Sequence, residues 1–142
     1  MRLVDAGATP PAPVHRSAGR TVWVMDSIAF GSATLRGDVI VTGSHGGVSA
    51  GEYAASYDVA VVACNDAGTG KNAAGVAGLR ALDGTGIAAV GVAHDSARIG
   101  DGHDTWENGV VSFVNEHARA LGIRTGASLK DQIVALVDQG GI

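Results

Sequence analysis

Val59-Ala60-Val61-Val62-Ala63 runs directly into Cys64-Asn65-Asp66-Ala67-Gly68-Thr69-Gly70-Lys71, and the reading of this junction decides the fold. The uncharged apolar run has the pattern of a strand buried on both faces. Its polar, glycine-rich continuation is the turn that leaves such a strand. A helical segment of small residues is expected from Asn72 to Leu82, with Asn72 as N-cap and Gly84 just past its end. Ile87 to Val92 supplies a second buried strand, ending in His94-Asp95-Ser96-Ala97-Arg98-Ile99-Gly100-Asp101-Gly102-His103-Asp104. Strand, helix and strand in this order make a parallel crossover unit, so both polar turns fall at the carboxyl edge of one sheet. Open α/β sheets bind ligands at that edge.

Working outward, Thr21 to Met25 and Val39 to Thr42 read as two further strands, ending in Asp26-Ser27 and in Gly43-Ser44-His45-Gly46-Gly47. Gly31 to Gly37 reads as a turn. A helix is expected from Val48 to Tyr57, with Ser49 as N-cap. A longer one is expected from Asp104 to Leu121, where Trp106, Val110, Phe113, Val114, His117 and Leu121 recur at helical steps before Gly122. Ser128 to Gln139 closes the chain, with Ser128 and Asp131 as an acidic capping box. Residues 1–20, with Pro10, Pro11 and Pro13, read as an extended N-terminal arm packed on its own domain or on a neighbouring subunit. Residues 21–142 read as a single α/β domain. The expected fold is a small doubly wound, Rossmann- or flavodoxin-like sheet of about four mostly parallel strands with flanking helices.

Composition narrows the function classes. Aromatic residues make up only 4%, so Val, Ala, Ile and Leu must build the core. Glycine, 22 of 142 residues, clusters after the apolar runs without a repeat, which argues for turns and against collagen or disorder. A net charge of −4 with no Lys/Arg run speaks against a nucleic-acid partner. The single cysteine excludes an internal disulfide and fits a reducing compartment. With no apolar leader segment and no run of membrane-spanning length, a soluble cytoplasmic protein with no membrane partner is expected.

All four expected strands end in polar or glycine-rich turns. Turn chemistry alone favours Gly, Asn, Asp and Ser. It does not account for His45, Lys71, His94 and Arg98 at one edge. The reading is a composite site where a small anionic metabolite, bearing carboxylate or phosphate, undergoes cofactor-independent acid–base chemistry as in an isomerase, lyase or hydrolase. His45 and His94 would move protons, and Asp95 would orient His94 or act as base. Cys64 is a candidate nucleophile or proton carrier beside a helix N-terminus, or a small buried residue with no chemistry. Asp26, Ser27, Ser44, Gly46, Gly47, Asn65, Asp66, Lys71, Ser96 and Arg98 would hold the substrate, the anion resting on Arg98, Lys71 and the Gly-loop amides. The alternatives are a non-catalytic nucleotide- or anion-binding module and a structural subunit of a homo-oligomer; self-association is expected in either case.

Two ligand patterns are weaker. Gly68-Thr69-Gly70-Lys71-Asn72-Ala73 fits a relaxed dinucleotide fingerprint, but the first glycine follows its strand too late for the tight turn, and Asn65 breaks the phosphate-loop pattern. His94, Asp95, Asp101, His103 and Asp104 are metal-ligand types, yet Arg98 among them favours an anion, or a structural pair with Asp95 or Asp101. No cofactor is expected, a divalent metal being the minor alternative.

Val62-Ala63-Cys64-Asn65, with the small-residue helix and Ala89-Val90-Gly91-Val92 behind it, resembles the first-cysteine segment of the aspartate/glutamate racemase superfamily. Asp26-Ser27 is similar to that superfamily's substrate-binding turn. The resemblance implies a cofactor-independent enzyme of Rossmann-like architecture, with Cys64 as one of two opposed proton carriers and Asp26, Ser27 and Asn65 on the substrate's polar groups. The second cysteine, in a Gly-Cys-Thr-His segment, is absent, which excludes a two-cysteine racemase. The resemblance then implies a one-domain relative in which His45 or His94 supplies the second acid or base.

Overall fold

The computed structural model describes residues 10–142. Six strands form one sheet in sequence order: β1 (Ala12–Ser17), β2 (Arg20–Met25), β3 (Val39–His45), β4 (Val61–Asn65), β5 (Ala88–Val92) and β6 (Val111–Val114). β2, β3, β4 and β5 pair in parallel and correspond to the four expected strands, while β1 and β6 add antiparallel edges. The helices are α1 (Val48–Tyr57), α2 (Ala77–Arg80), α3 (Gly102–Asn108), α4 (Glu116–Ala120) and α5 (Leu129–Asp138). The chain is therefore α/β.

The winding differs from the expected doubly wound sheet. The parallel strands succeed one another side by side with no reversal of order. The connections between them lie on one face, where Ile28, Leu35, Ala50, Ala54, Leu79 and Leu82 pack on Met25, Ile40, Val62, Cys64 and Ala89. Trp106, Ala118, Leu129, Ile133 and Val137 of α3, α4 and α5 cover the other face, over Val22, Val24, Val41, Ala63 and Val90. Both faces are thus dry, as parallel strands require.

Three local expectations are corrected. Residues 12–17 of the expected arm form β1, joined to β2 by Ala18-Gly19; both have left-handed φ (52° and 78°), the conformation a two-residue hairpin needs. Residues 1–9 lie outside the described residues. The helix expected over Asp104 to Leu121 splits into α3, β6 and α4. Gly109 ends α3, the β-branched and aromatic run Val110 to Val114 pairs with β5, and Asn115 restarts the helix. The Asn115 carboxamide accepts from Ala118 N–H and Ala89 N–H and donates to Ile87 O, so it caps α4 and pins it to β5.

The helix expected from Asn72 is also short. Asn72 and Ala73 take left-handed φ (56° and 58°), so Lys71–Val76 is a kinked 3-10 run before α2. By contrast α1 matches its expected span, although Gly47 rather than Ser49 is its N-cap, and Ser128 caps α5 through Asp131 N–H.

With every crossover on one face, the chain must pass over the sheet edge to reach the other. Residues 93–102 make that passage as a strap across the carboxyl ends of the strands. The Asn65 amide donates to Ala97 O (3.1 Å), Gly100 N–H donates to Gly43 O (2.7 Å), and Gly102 N–H donates to Asp26 Oδ1 (2.9 Å). A Cβ on Gly43 would stand 2.4 Å from Asp101 N and 2.5 Å from Gly100 C, both backbone atoms. Among the described residues no helix is long and apolar enough to cross a membrane. Gly43→Ala is expected to cost about 2 kcal/mol or more through forced displacement of the strap, read from the urea midpoint.

Candidate functional site

β4 and β5 build the centre of the carboxyl edge. Asn65 lies opposite Val92, and the chain continues into Asp66 on one strand and into His94 on the other. Asp66 is buried to 7% exposure and its carboxylate is fully engaged. Oδ1 accepts from Gly68 N–H (2.7 Å) and His94 N–H (3.1 Å), and stands 3.4 Å from His94 Nδ1. Oδ2 accepts from the Ser112 hydroxyl (2.7 Å). These bonds also hold a loop in which Ala67, Thr69, Asn72 and Ala73 are all left-handed, at a cost of about 1 kcal/mol for each such residue. The His94 ring packs above Gly68 and its side chain is 60% exposed, so Nδ1 faces the carboxylate while Nε2 is left for solvent or a ligand.

Beyond His94 the strap opens into a shallow depression of about 260 Å³ lined by His94, Asp95, Ser96, Ala97, Arg98 and Asp104. Asp104 accepts from the Asn108 amide (2.8 Å) and from Arg98 N–H (2.7 Å). The Asn108 bond first, then the Arg98 bond, then the Arg98 charge, hold the Asp104 carboxyl below the usual carboxylate range against slight desolvation. Asp101 caps α3 by accepting from Asp104 N–H.

The expected site residues therefore separate. His94, Asp95, Ser96 and Arg98 share the depression; Asp66 sits beneath His94 and, instead of Asp95, faces its ring. His45 follows the same edge two strands away, exposed, with Nδ1 accepting from Gly47 N–H (3.2 Å). That bond fixes the neutral ring with its proton on Nε2.

Several others are used by the fold itself. Asn65 is fully buried, accepting from Ala67 N–H and donating to the strap. Asp26 anchors the strap, the Ser27 hydroxyl accepts from Ala29 N–H, and the Ser44 hydroxyl from Ile28 N–H. The Gly46 and Gly47 amides donate to Asn65 O and His45 Nδ1, so neither is turned outward to an anion. Lys71 is exposed outside the depression, as is His103.

Cys64 lies in the core with no exposed surface. Burial pushes its thiol up to about 11, partly offset by the Thr42 hydroxyl at 3.4 Å. A thiol so placed holds almost no thiolate at neutral pH and reaches no ligand in this conformation. Among the described residues no three His, Cys, Asp or Glu side chains come together as a metal-binding group. Sequence reasoning passed over Ser112, which it took for part of a helix; only the β6 pairing brings it to Asp66.

No protein-family model, curated protein or solved structure matches the chain.

A thiol-exchange reagent at pH 8 should leave native Cys64 unmodified for hours and label it fully in denaturant; prompt native labelling would contradict its burial. The Asp104 carboxyl has a depressed folded pKa, so its support of the strap is complete above the unfolded value, about 3.9. That support is lost as pH falls through the folded value. The protection of Arg98 N–H relative to its intrinsic exchange rate should accordingly fall on acidification below about pH 4, and Asp104→Asn should remove that fall.

Proposed function

We propose that the chain is a small-molecule enzyme acting on an anionic, carboxylate- or phosphate-bearing metabolite by acid–base chemistry at the carboxyl edge of its parallel strands. The observation that carries this reading is the buried Asp66 carboxylate facing His94 Nδ1 at 3.4 Å. A carboxylate there favours a proton on Nδ1, which leaves the Nε2 lone pair pointing outward as a base. His45 is complementary: its Nδ1 is occupied by Gly47 N–H, so its outward Nε2 carries a proton and can donate a hydrogen bond to an oxygen that gains charge. Two strand spacings separate the histidine-bearing strands, roughly 10 Å across β4, a span that a small metabolite can bridge.

The fixed charge of Arg98 in the same depression as His94 supports an anionic substrate. The reaction this permits is abstraction of a proton by His94 Nε2 from a carbon beside the anionic group, with His45 Nε2–H bonding the oxygen that gains charge and the resulting His94 imidazolium returning the proton. Isomerisation and elimination share that step; in hydrolysis His94 Nε2 would take its proton from the attacking water instead. Asp66 would not exchange protons with the substrate; it would hold the ring.

The test is incubation of the protein in D2O with a panel of small carboxylates and phosphate esters, followed by proton NMR. Consumption of one compound, or exchange of one of its C–H protons, is expected. His94→Gln should lower that rate by about a hundredfold or more. Cys64→Ala should leave it within a small factor. Ligand-induced stabilisation with no chemical change across the panel would instead identify a binding module.

A further inference from the structure

We infer that Ser112 is a positioning residue for His94, acting through Asp66, and that the bulge in β6 exists to deliver it; the inference rests on the reading of His94 as the proton carrier. Pairing of β5 with β6 runs Val90 to Val114 and Gly91 to Phe113, then Val92 to Val111. Two steps on β6 thus oppose one on β5, and Ser112 is the extra residue. In a regular ladder Val111 and Phe113, two residues apart, would share a face; the extra residue between them is what lets Val111 enter one core while Phe113 packs towards the other. Removed from the ladder, it is exposed at the strand and its hydroxyl turns to Asp66 Oδ2 at 2.7 Å. Bulges re-aim single side chains in this way.

The geometry is costly to build elsewhere. A Cβ on Gly91, opposite Phe113, would approach Phe113 Cβ at 2.9 Å, so the β5 partner of the bulge is a residue without a side chain. The chain also reaches β6 through Ala93 N–H on Val110 O and through Val110 N–H on the Ser96 hydroxyl, which locks the bulge to the floor of the depression.

The chemical logic follows from the two oxygens of one carboxylate. Oδ1 is held by two backbone N–H groups and faces the imidazole, while Oδ2 has the Ser112 hydroxyl as its bond to the protein. Without that donor the carboxylate can turn about its Cβ–Cγ bond and the Nδ1 contact loses its direction. With it, the carboxylate plane is fixed and so is the ring tautomer. Ser112 touches no substrate; it acts on the base through the group that orients it.

The experiment needs no substrate. Long-range nitrogen–proton NMR spectra report which ring nitrogen of neutral His94 carries the proton. In the native protein Nδ1–H should dominate. Ser112→Ala should move the balance towards Nε2–H, the form a solvated imidazole favours, whereas Ser112→Thr should retain the native pattern. In an Asp66→Asn background Ser112→Ala should change nothing further. Ser112→Cys, a weaker donor of similar volume, should fall between native and alanine and serves if the alanine variant does not fold.

Where an active compound is found, Ser112→Ala should lower turnover about tenfold with KM little changed. An unchanged tautomer in folded Ser112→Ala, or an equal change in the Asp66→Asn background, would overturn the inference and leave Ser112 a structural residue. The predicted tautomer shifts without turnover of any compound would sustain this inference and remove the proposed function.

Discussion

When parallel strands lie side by side in sequence order, their right-handed crossovers all fall on the same face of the sheet. The opposite face stays bare until the chain climbs over an edge. Here the climb is made once, by residues 93–102, and the bonds to Asn65, Gly43 and Asp26 are what make it permissible. Each satisfies a backbone group that the crossing would otherwise strand over the strand ends, where an unpaired buried polar group costs about 1–3 kcal/mol. Past the strap, α3, α4 and α5 can seal Val22, Val41 and Val90 from water. The second half of the core therefore depends on those three attachments.

The same crossing shapes the chemistry of the edge. Residues that stop the strands are spent on the strap and on turns, so the solvent-facing surface of the edge is made by what the strap and the β4 turn leave outside: His94, Asp95, Arg98 and, further along, His45. Asp66 lies between the two uses. It is buried like a structural residue, yet one oxygen faces an exposed imidazole. A buried carboxylate with N–H and O–H donors on both oxygens is well compensated for its desolvation. That compensation keeps a charge close beneath His94 without loosening the loop.

The sequence was legible where its physics is local. The four parallel strands are uninterrupted apolar runs, and Ser128 with Asp131 marks the start of α5, because burial on both faces and end-capping leave a signature within a few residues. β6 was not legible. Trp106, Val110, Phe113 and Leu121 fit helical spacing as well as they fit two short helices around a strand, and only pairing with β5 decides between them. β1 was hidden because Ala18 carries no sign of a left-handed turn. The site shows the same division. His94 and Arg98 stand out by residue type, whereas the engagement of Asn65 with Ala97 and of Gly46 and Gly47 with the backbone depends on partners far along the chain. Ser112 could be found only by knowing the register of β6.

The attachment of Gly102 to Asp26 closes 76 residues of chain, and that of Asn65 to Ala97 closes 32 within them. Contacts of such separation form late, after the entropy of the intervening loops has been surrendered. The strap can dock only once β2, β3 and β4 are already aligned, so His94 meets its carboxylate under a finished edge. A half-folded chain would possess His94 and Asp66 without their arrangement, and the two would meet only when the strap docks.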